Sequence, residues 1–545
     1  MELSYAHGSS TTPLLGETIG ANLERTAARV PGSDALVSCH QDLRYTYAEL
    51  NAAVDRVARG LLGMGLKKGD RVGIWSANRA EWVLIQYATA KCGAVLVNIN
   101  PSYRTSELEY ALRQSGARVL FAAQEFKSSD YAAMIEEVKP RLDDLERVVL
   151  LDTAAWDTFL SEASRVSDHD LEIRQRELQF DDPINIQYTS GTTGAAKGAT
   201  LSHHNILNNG FFVGEYCRLT ESDRLCIPVP FYHCFGMVMA NLGCTTHGAC
   251  MVIPSAAFEP EAVLEAVREE RCTVLYGVPT MFIAELGLEN FADFDLSSLR
   301  TGIMAGSPCP VEVMRKVIDR MHMADVTICY GMTETSPVST QTGADDALER
   351  RVSTVGRVHP HVEVKIVDPA DGTVVPRGST GELCTRGYSV MLGYWNDPER
   401  TAEAIDQGRW MHTGDLATMD GEGYVNIVGR IKDMIIRGGE NVYPREVEEF
   451  IYTHPDVVDV QVIGVPDERY GEAIMAWVQM RDGATLDEDE LREWCGKSIA
   501  HFKVPRYVKF VDEFPMTVTG KVQKFKMRDQ AIEELDLAGA VANTA

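Results

Sequence analysis

The sequence predicts an α/β protein: a large N-terminal unit with mainly parallel sheets, followed by a small α+β unit. Three observations lead there. The chain has 545 residues, more than one hydrophobic core organises. Helix and strand signals alternate from Leu43 onward, and beyond about Arg430 that alternation gives way to a hairpin and isolated elements.

Thr46 and Glu49 stand at capping-box spacing ahead of an apolar helical pattern through Leu50, Val54, Ala58, Leu61 and Leu62, which ends near Gly63 and Gly65. A strand follows at 71–75, a helix around 79–91 with Gly93 just beyond, and an apolar run at 94–99 stopped by Pro101. The alternation recurs through 118–122 and 147–151, the βαβ pattern of a parallel sheet covered by helices. The tail reads as a hairpin at 434–442, a helix with Pro444 in its first turn, strands near 457–465 and 474–479, a helix near 488–499 and a last strand near 507–511. A boundary within 429–433 divides the chain into units 1–430 and 431–545.

The net charge of −27 opposes extended binding to nucleic acid or to an anionic membrane, but leaves room for a local phosphate site built from backbone N–H groups and a lysine. The twelve cysteines are scattered, with no C-x-x-C pair and no Cys/His cluster of zinc type, as expected of reduced, buried thiols in a cytoplasmic protein. Residues 1–12 are polar and lack the apolar core of a secretory signal. The apolar stretch 226–244 is interrupted by Pro228, Pro230, His233, Gly236 and Asn241, which suits buried core or a pocket wall rather than a transmembrane segment.

The chemistry begins at Tyr188-Thr189-Ser190-Gly191-Thr192-Thr193-Gly194-Ala195-Ala196-Lys197-Gly198, which follows the alternating Ile184, Ile186 and Tyr188 of a strand. Glycines let backbone N–H groups turn inward, hydroxyls add donors, and Lys197 supplies charge: together they form an anion cradle. The spacing is not that of the Walker loop, and glycine rather than a hydroxyl residue follows the lysine.

At this string the chain resembles the adenylate-forming superfamily, which includes acyl-CoA synthetases, 4-coumarate ligases, peptide-synthetase adenylation domains and beetle luciferases. Further motifs extend the resemblance over nearly the whole chain, in the family's order. They are Phe231-Tyr232-His233-Cys234-Phe235-Gly236, Ala305-Gly306-Ser307-Pro308, Tyr330-Gly331-Met332-Thr333-Glu334-Thr335, Thr413-Gly414-Asp415, Gly429-Arg430-Ile431-Lys432-Asp433 and Pro515-Met516-Thr517-Val518-Thr519-Gly520-Lys521. One departure is Ala196, where many relatives carry proline, so φ is not locked before Lys197.

The resemblance implies ATP, Mg²⁺ and coenzyme A as cofactors and co-substrate, a small carboxylic acid as substrate, and a mobile C-terminal unit. Two anions must meet when a carboxylate attacks the α-phosphate, and the family's C-terminal lysine, here Lys521, bridges them. Glu334 is the implied Mg²⁺ ligand and Thr333 the donor to the α-phosphate, while Thr189 to Lys197 hold the outer phosphates. Asp415 and Arg430 are implied to hold the ribose, Tyr330 to stack on adenine, and Gly306 to let backbone approach the ring. His233 is placed either to line the acyl pocket or to shield the carboxylate from water; a packed histidine without catalytic duty is an equal alternative. His203, His204 and His412 are expected to be structural. Lys432 corresponds to the pivot about which the small unit turns before the thiol attacks. Gly438 and Gly439 then either wall a pantetheine tunnel or simply turn a hairpin.

The segment 231–236 lacks the aspartate with which peptide-synthetase domains hold an α-ammonium, so an amino acid substrate is not expected. Phe235, Met237, Val238, Met239, Val278, Met281, Phe282 and Met332 suit an alkyl chain or an aryl acid. The strings 188–203 and 381–395 look most like those of medium-chain and long-chain fatty acyl-CoA synthetases. Aryl acid–CoA ligases and stand-alone enzymes that load a carrier protein are the alternatives.

Overall fold

The Thr46 hydroxyl accepts from the Glu49 amide and the Glu49 carboxylate from the Thr46 amide, so the expected capping box starts the helix Tyr47–Gly63. Its apolar face, Leu50, Val54, Val57, Ala58 and Leu61, is fully packed. The computed structural model describes residues 2–189, 196–307, 309–437, 440–467, 469–481, 483–517 and 521–537.

Two large sheets carry the N-terminal part. One runs Gly393–Tyr394, Lys197–Ser202, Pro183–Thr189, Val95–Asn98, Arg71–Trp75, Ala117–Ala122 and Arg147–Leu150. Its last five strands are mutually parallel, as the βαβ alternation predicts. In the other, the parallel strands Asp34–Ser38, Cys250–Ile253, Arg224–Cys226, Val274–Gly277, Thr301–Met304 and Asp325–Gly331 form the middle, with antiparallel strands at both edges. A third sheet, not foreseen in the sequence, is antiparallel throughout: Tyr5–His7, Val362–Val367, Gly381–Gly387, Met411–Met419 and Val425–Arg430.

The C-terminal sheet has a separate core built on Val447, Ile451, Val460, Val462, Ile474 and Val478. It contains the hairpin Ile435–Arg437 and Glu440–Val442, the long strands Val457–Asp467 and Gly471–Met480, and Tyr507–Phe510 in parallel. A helix, Lys524–Glu534, follows the strand expected to be the last element. Among the described residues no helix is long and apolar enough to cross a membrane. All twelve cysteines are free thiols and all but Cys39 are buried.

Candidate functional site

Pro183–Thr189 and Lys197–Ser202 run antiparallel and pair Thr189 with Lys197 across the neck of the anion loop. Ser190, Gly191, Thr192, Thr193 and Gly194 lie outside the described residues. At the far side of the loop, the Tyr110 hydroxyl donates to the Ala196 carbonyl at 2.9 Å, so a side chain pins the backbone that a proline would otherwise stiffen. The Lys197 ammonium stands 4.9 Å from the centre of the Tyr394 ring, a cation–π distance.

Glu334 reaches the same place from the other large sheet. Strand Asp325–Gly331 ends in a bulge at Tyr330 and Gly331, where a Cβ on Gly331 would fall 1.7 Å from the Pro337 carbonyl oxygen. The turn Thr333–Thr335 then points the Glu334 carboxylate at the anion loop. Its Oε1 accepts from Thr189 Oγ1 at 3.1 Å and from the Tyr394 hydroxyl at 3.0 Å. Burial and the neighbouring Glu334 charge raise the Tyr394 phenol well above its ordinary value, so it remains a donor. No hydrogen bond from the described residues reaches Glu334 Oε2, which leaves a carboxylate oxygen of the type a hard dication prefers. Thr333, also buried, lies beside the Cys234 thiol.

Asp415 and Arg430 face each other on the paired strands Met411–Met419 and Val425–Arg430. Arg430 Nε meets Asp415 Oδ1 at 2.9 Å, and the Tyr330 hydroxyl donates to Oδ2 at 2.6 Å. Tyr330 therefore braces the carboxylate next to which its ring is expected to stack. Burial, then the Asp415 charge, holds the Tyr330 phenol far above its usual value. Gly306 follows strand Thr301–Met304 with φ +94°, a conformation that favours glycine.

Lys521 comes from the C-terminal unit. The Thr517 amide donates to the Lys521 carbonyl at 2.7 Å, and the Lys521 amide to Thr517 Oγ1 at 3.0 Å, so two hydrogen bonds tie the lysine's backbone to Thr517. Its ammonium stands in a cleft whose walls lower it from the ordinary lysine value, aided by Arg430 and opposed by Asp415 and Glu334. Lys521 is an exposed residue. Lys521, Glu334, Asp415 and Arg430 are thus brought together from sequence positions that span the two units.

His233 belongs to the same cleft. Burial, then the Lys521 charge, lowers its imidazole to about 3, and the Phe235 amide donates to Nδ1 at 3.2 Å. The ring is neutral with its proton on Nε2. Beneath it a buried polar ladder holds the aromatic segment: Asn185 donates to Asn98, Gln187 to Asn185, and the Cys234 thiol to Gln187. The chain continues as a π-helical stretch, Phe235–Leu242, whose eight residues are all buried, so the apolar run 226–244 is core and pocket wall.

Phe235, Met237, Val238, Met239, Val278 and Met281 share one apolar cluster, against which Met332 packs. Phe282 departs from expectation. It packs in a second core with Cys226, Leu264 and Met304, because successive residues of the helix Pro279–Leu286 face different ways. Lys432 is exposed, two residues after the strand that ends at Arg430. Gly438 and Gly439 lie outside the described residues.

With this geometry in view, a family model described as AMP-binding enzyme matches residues 23–395, and its companion, AMP-binding enzyme C-terminal domain, matches 446–521. The chain is an AMP-binding enzyme. It belongs with the acyl-CoA synthetases of that family. A Bacillus subtilis (strain 168) relative, putative acyl-CoA synthetase YngI, is 50% identical over 97% of this chain and 99% of its own. Human mitochondrial medium-chain acyl-CoA ligase ACSF2 is 44% identical over 98% of this chain and 91% of its own. The solved structure of anthranilate CoA ligase AuaEII in complex with anthranoyl-AMP superposes with TM-score 0.87 at 29% identity, covering 97% of this chain and 99% of that one.

Sequence reasoning missed four residues that position groups in this AMP-binding enzyme. Tyr394 and Tyr110 were invisible because their partners are distant in sequence, although Tyr394 lies inside a string that already carried the family likeness. Gln187 supports Cys234 from below. Glu382 accepts from the Gly414 amide at 3.0 Å, steadying the turn before Asp415. His203 and His204 have the structural surroundings expected: Nδ1 of buried His203 accepts from the Ile19 amide, and His204 meets Asn208. His412 does more, approaching Glu382 Oε2 at 2.8 Å and Cys384 Sγ at 3.5 Å. The two residues are 28 apart in sequence, and strand register brings them side by side.

Proposed function

We propose that this enzyme activates a carboxylic acid, foremost a medium-chain or long-chain fatty acid, as acyl-AMP with release of pyrophosphate, and then passes the acyl group to the thiol of coenzyme A. The observation that carries the reading is the Lys521 ammonium, in one cleft with Glu334, Asp415, Arg430 and His233. A cation there offsets the repulsion between a carboxylate and an α-phosphate as they approach.

Glu334 would hold Mg²⁺ through Oε2, and the ion would meet the charge of the departing pyrophosphate. Asp415 accepts from the ribose hydroxyls, with Arg430 and Tyr330 holding its two oxygens in place. Thr189, Lys197 and the loop between them take the outer phosphates. Thr333 donates to the α-phosphate. Neutral His233 turns Nε2–H toward the carboxylate side of the cleft and helps exclude water.

In this reading the arrangement serves the first half-reaction. Residues 431–545 then turn about Lys432 relative to 1–430, withdrawing Lys521 and bringing Gly438 and Gly439 to the thiol. The buried apolar wall supports an alkyl substrate, as do the medium-chain relatives. An aryl acid is the second reading, favoured by the likeness to an anthranilate CoA ligase.

Pyrophosphate release across fatty acids of graded length, aryl acids and dicarboxylates, with coenzyme A or purified carrier proteins as acceptor, tests both. A maximum within the fatty acids that yields acyl-CoA is expected. A preference for aryl acids, or transfer to carrier proteins alone, would replace the proposal.

A further inference from the structure

We propose that Glu382, Cys384 and His412 form a binding site for a transition-metal dication of the zinc type, separate from the carboxylate that faces the phosphates. The side chains project from the neighbouring antiparallel strands Gly381–Gly387 and Met411–Met419, on which Cys384 stands opposite His412 and Glu382 opposite Leu416. Two steps along one strand therefore match four along the other. The surplus is the bulge that holds Thr413, Gly414 and Asp415.

His412 Nδ1 lies 2.8 Å from Glu382 Oε2 and 3.5 Å from Cys384 Sγ, and the three donor atoms all fall within 4.8 Å of one another. Donors about 2.0–2.3 Å from a tetrahedral ion sit roughly 3–4 Å apart, a spacing the His412–Cys384 pair already has and the His412–Glu382 pair reaches by opening about half an ångström. Thiolate, imidazole and carboxylate together suit zinc and disfavour magnesium or calcium.

The surroundings favour the same use. Asp406 Oδ2 faces His412 Nε2 at 3.8 Å, the position of a carboxylate that orients a ligating imidazole. The other oxygen of Glu382 is already held by the Gly414 amide at 3.0 Å. Cys384 is buried, whereas the His412 side chain is 33% exposed, which gives an ion an entry path and a fourth position for water. Coordination displaces the thiol proton of Cys384, and any proton on His412 Nδ1, to solvent.

Cobalt(II) added to chelator-treated, full-length enzyme is the probe. One equivalent is expected to produce a thiolate-to-cobalt charge-transfer band that Zn²⁺ abolishes by displacement. Cys384→Ser is expected to lose the band, His412→Ala to weaken cobalt binding at least about tenfold, and Cys39→Ser, at the exposed cysteine, to leave it unchanged. Absence of any thiolate band in the wild-type enzyme overturns the site, as does a band that survives Cys384→Ser or disappears with Cys39→Ser. Absence of the wild-type band is decisive even where a variant folds poorly, and Cys384→Ala repeats the assignment where the serine variant does.

Discussion

Replacing Tyr394 by phenylalanine removes one oxygen and leaves the ring beneath Lys197 in place. The lost O–H is one of two donors to Glu334 Oε1, at 3.0 Å beside Thr189 at 3.1 Å. Glu334 is only 5% exposed, so water does not readily take the vacated position. A hydrogen bond to a buried charged group contributes about 1.5–3 kcal/mol, which corresponds to roughly 10–100-fold in an equilibrium that depends on the carboxylate's orientation. Outer partners of metal-binding carboxylates show effects of about that size. Pyrophosphate release followed against free Mg²⁺ at saturating ATP should therefore need about 10–100-fold more Mg²⁺ for half-maximal rate, with most of the maximal rate recovered at high Mg²⁺. Calorimetric binding of Mg²⁺–ATP should weaken in parallel. An unchanged Mg²⁺ requirement would refute the assignment of Glu334 and Tyr394 as a unit, whether or not the maximal rate fell.

Lys521→Ala should abolish adenylate formation from ATP yet leave thioester formation from a supplied acyl-adenylate largely intact; equal loss of both half-reactions would remove Lys521 from its role. Lys432→Pro, by fixing φ at the pivot, should spare adenylation and impair the thioester step, and single-turnover assays of each step separate the two. His359 is fully buried, stacked on Tyr216 and bonded to Gln341 at 2.9 Å, and burial lowers its imidazole to about 3. The unfolded chain takes up that proton below pH ~6.5 and the folded one does not, so stability should fall with pH from ~6.5 downward, by about 2 kcal/mol at pH 5 from this group. Denaturant unfolding of His359→Gln should show a shallower loss between pH 7 and 5; parallel curves for variant and wild type would contradict this.

What could be read in the sequence was whatever contiguous strings carry. Thr189 to Lys197, Thr333-Glu334, Thr413-Gly414-Asp415 and Lys521 announce themselves because each element brings its own turn and its own chemistry. Tyr394 does not, because its meaning comes from a strand pairing with Ala199 and from Glu334, 60 residues away. The third sheet escaped for the same reason: strand Tyr5–His7 pairs with Val362–Val367, a partnership that local periodicity does not encode. Phe282 shows the converse error, in which apolar neighbours in sequence were assigned to one wall although a helix sends them to two cores. Cys384 and His412 became neighbours only once register was known.

Arg430 ends one strand, grips Asp415 through its side chain, and lies two residues before Lys432. The proposed clamp on the sugar and the root of the proposed swing therefore share one stretch of backbone. On the proposed function, an acyl-adenylate held there would stay with the stationary half while the wall above it is exchanged. Escape of a reactive intermediate to water would then be governed by the stator rather than by the moving part, and loosening the Asp415–Arg430 pair would show itself as acyl-AMP leaking into solution before any slowing of its synthesis.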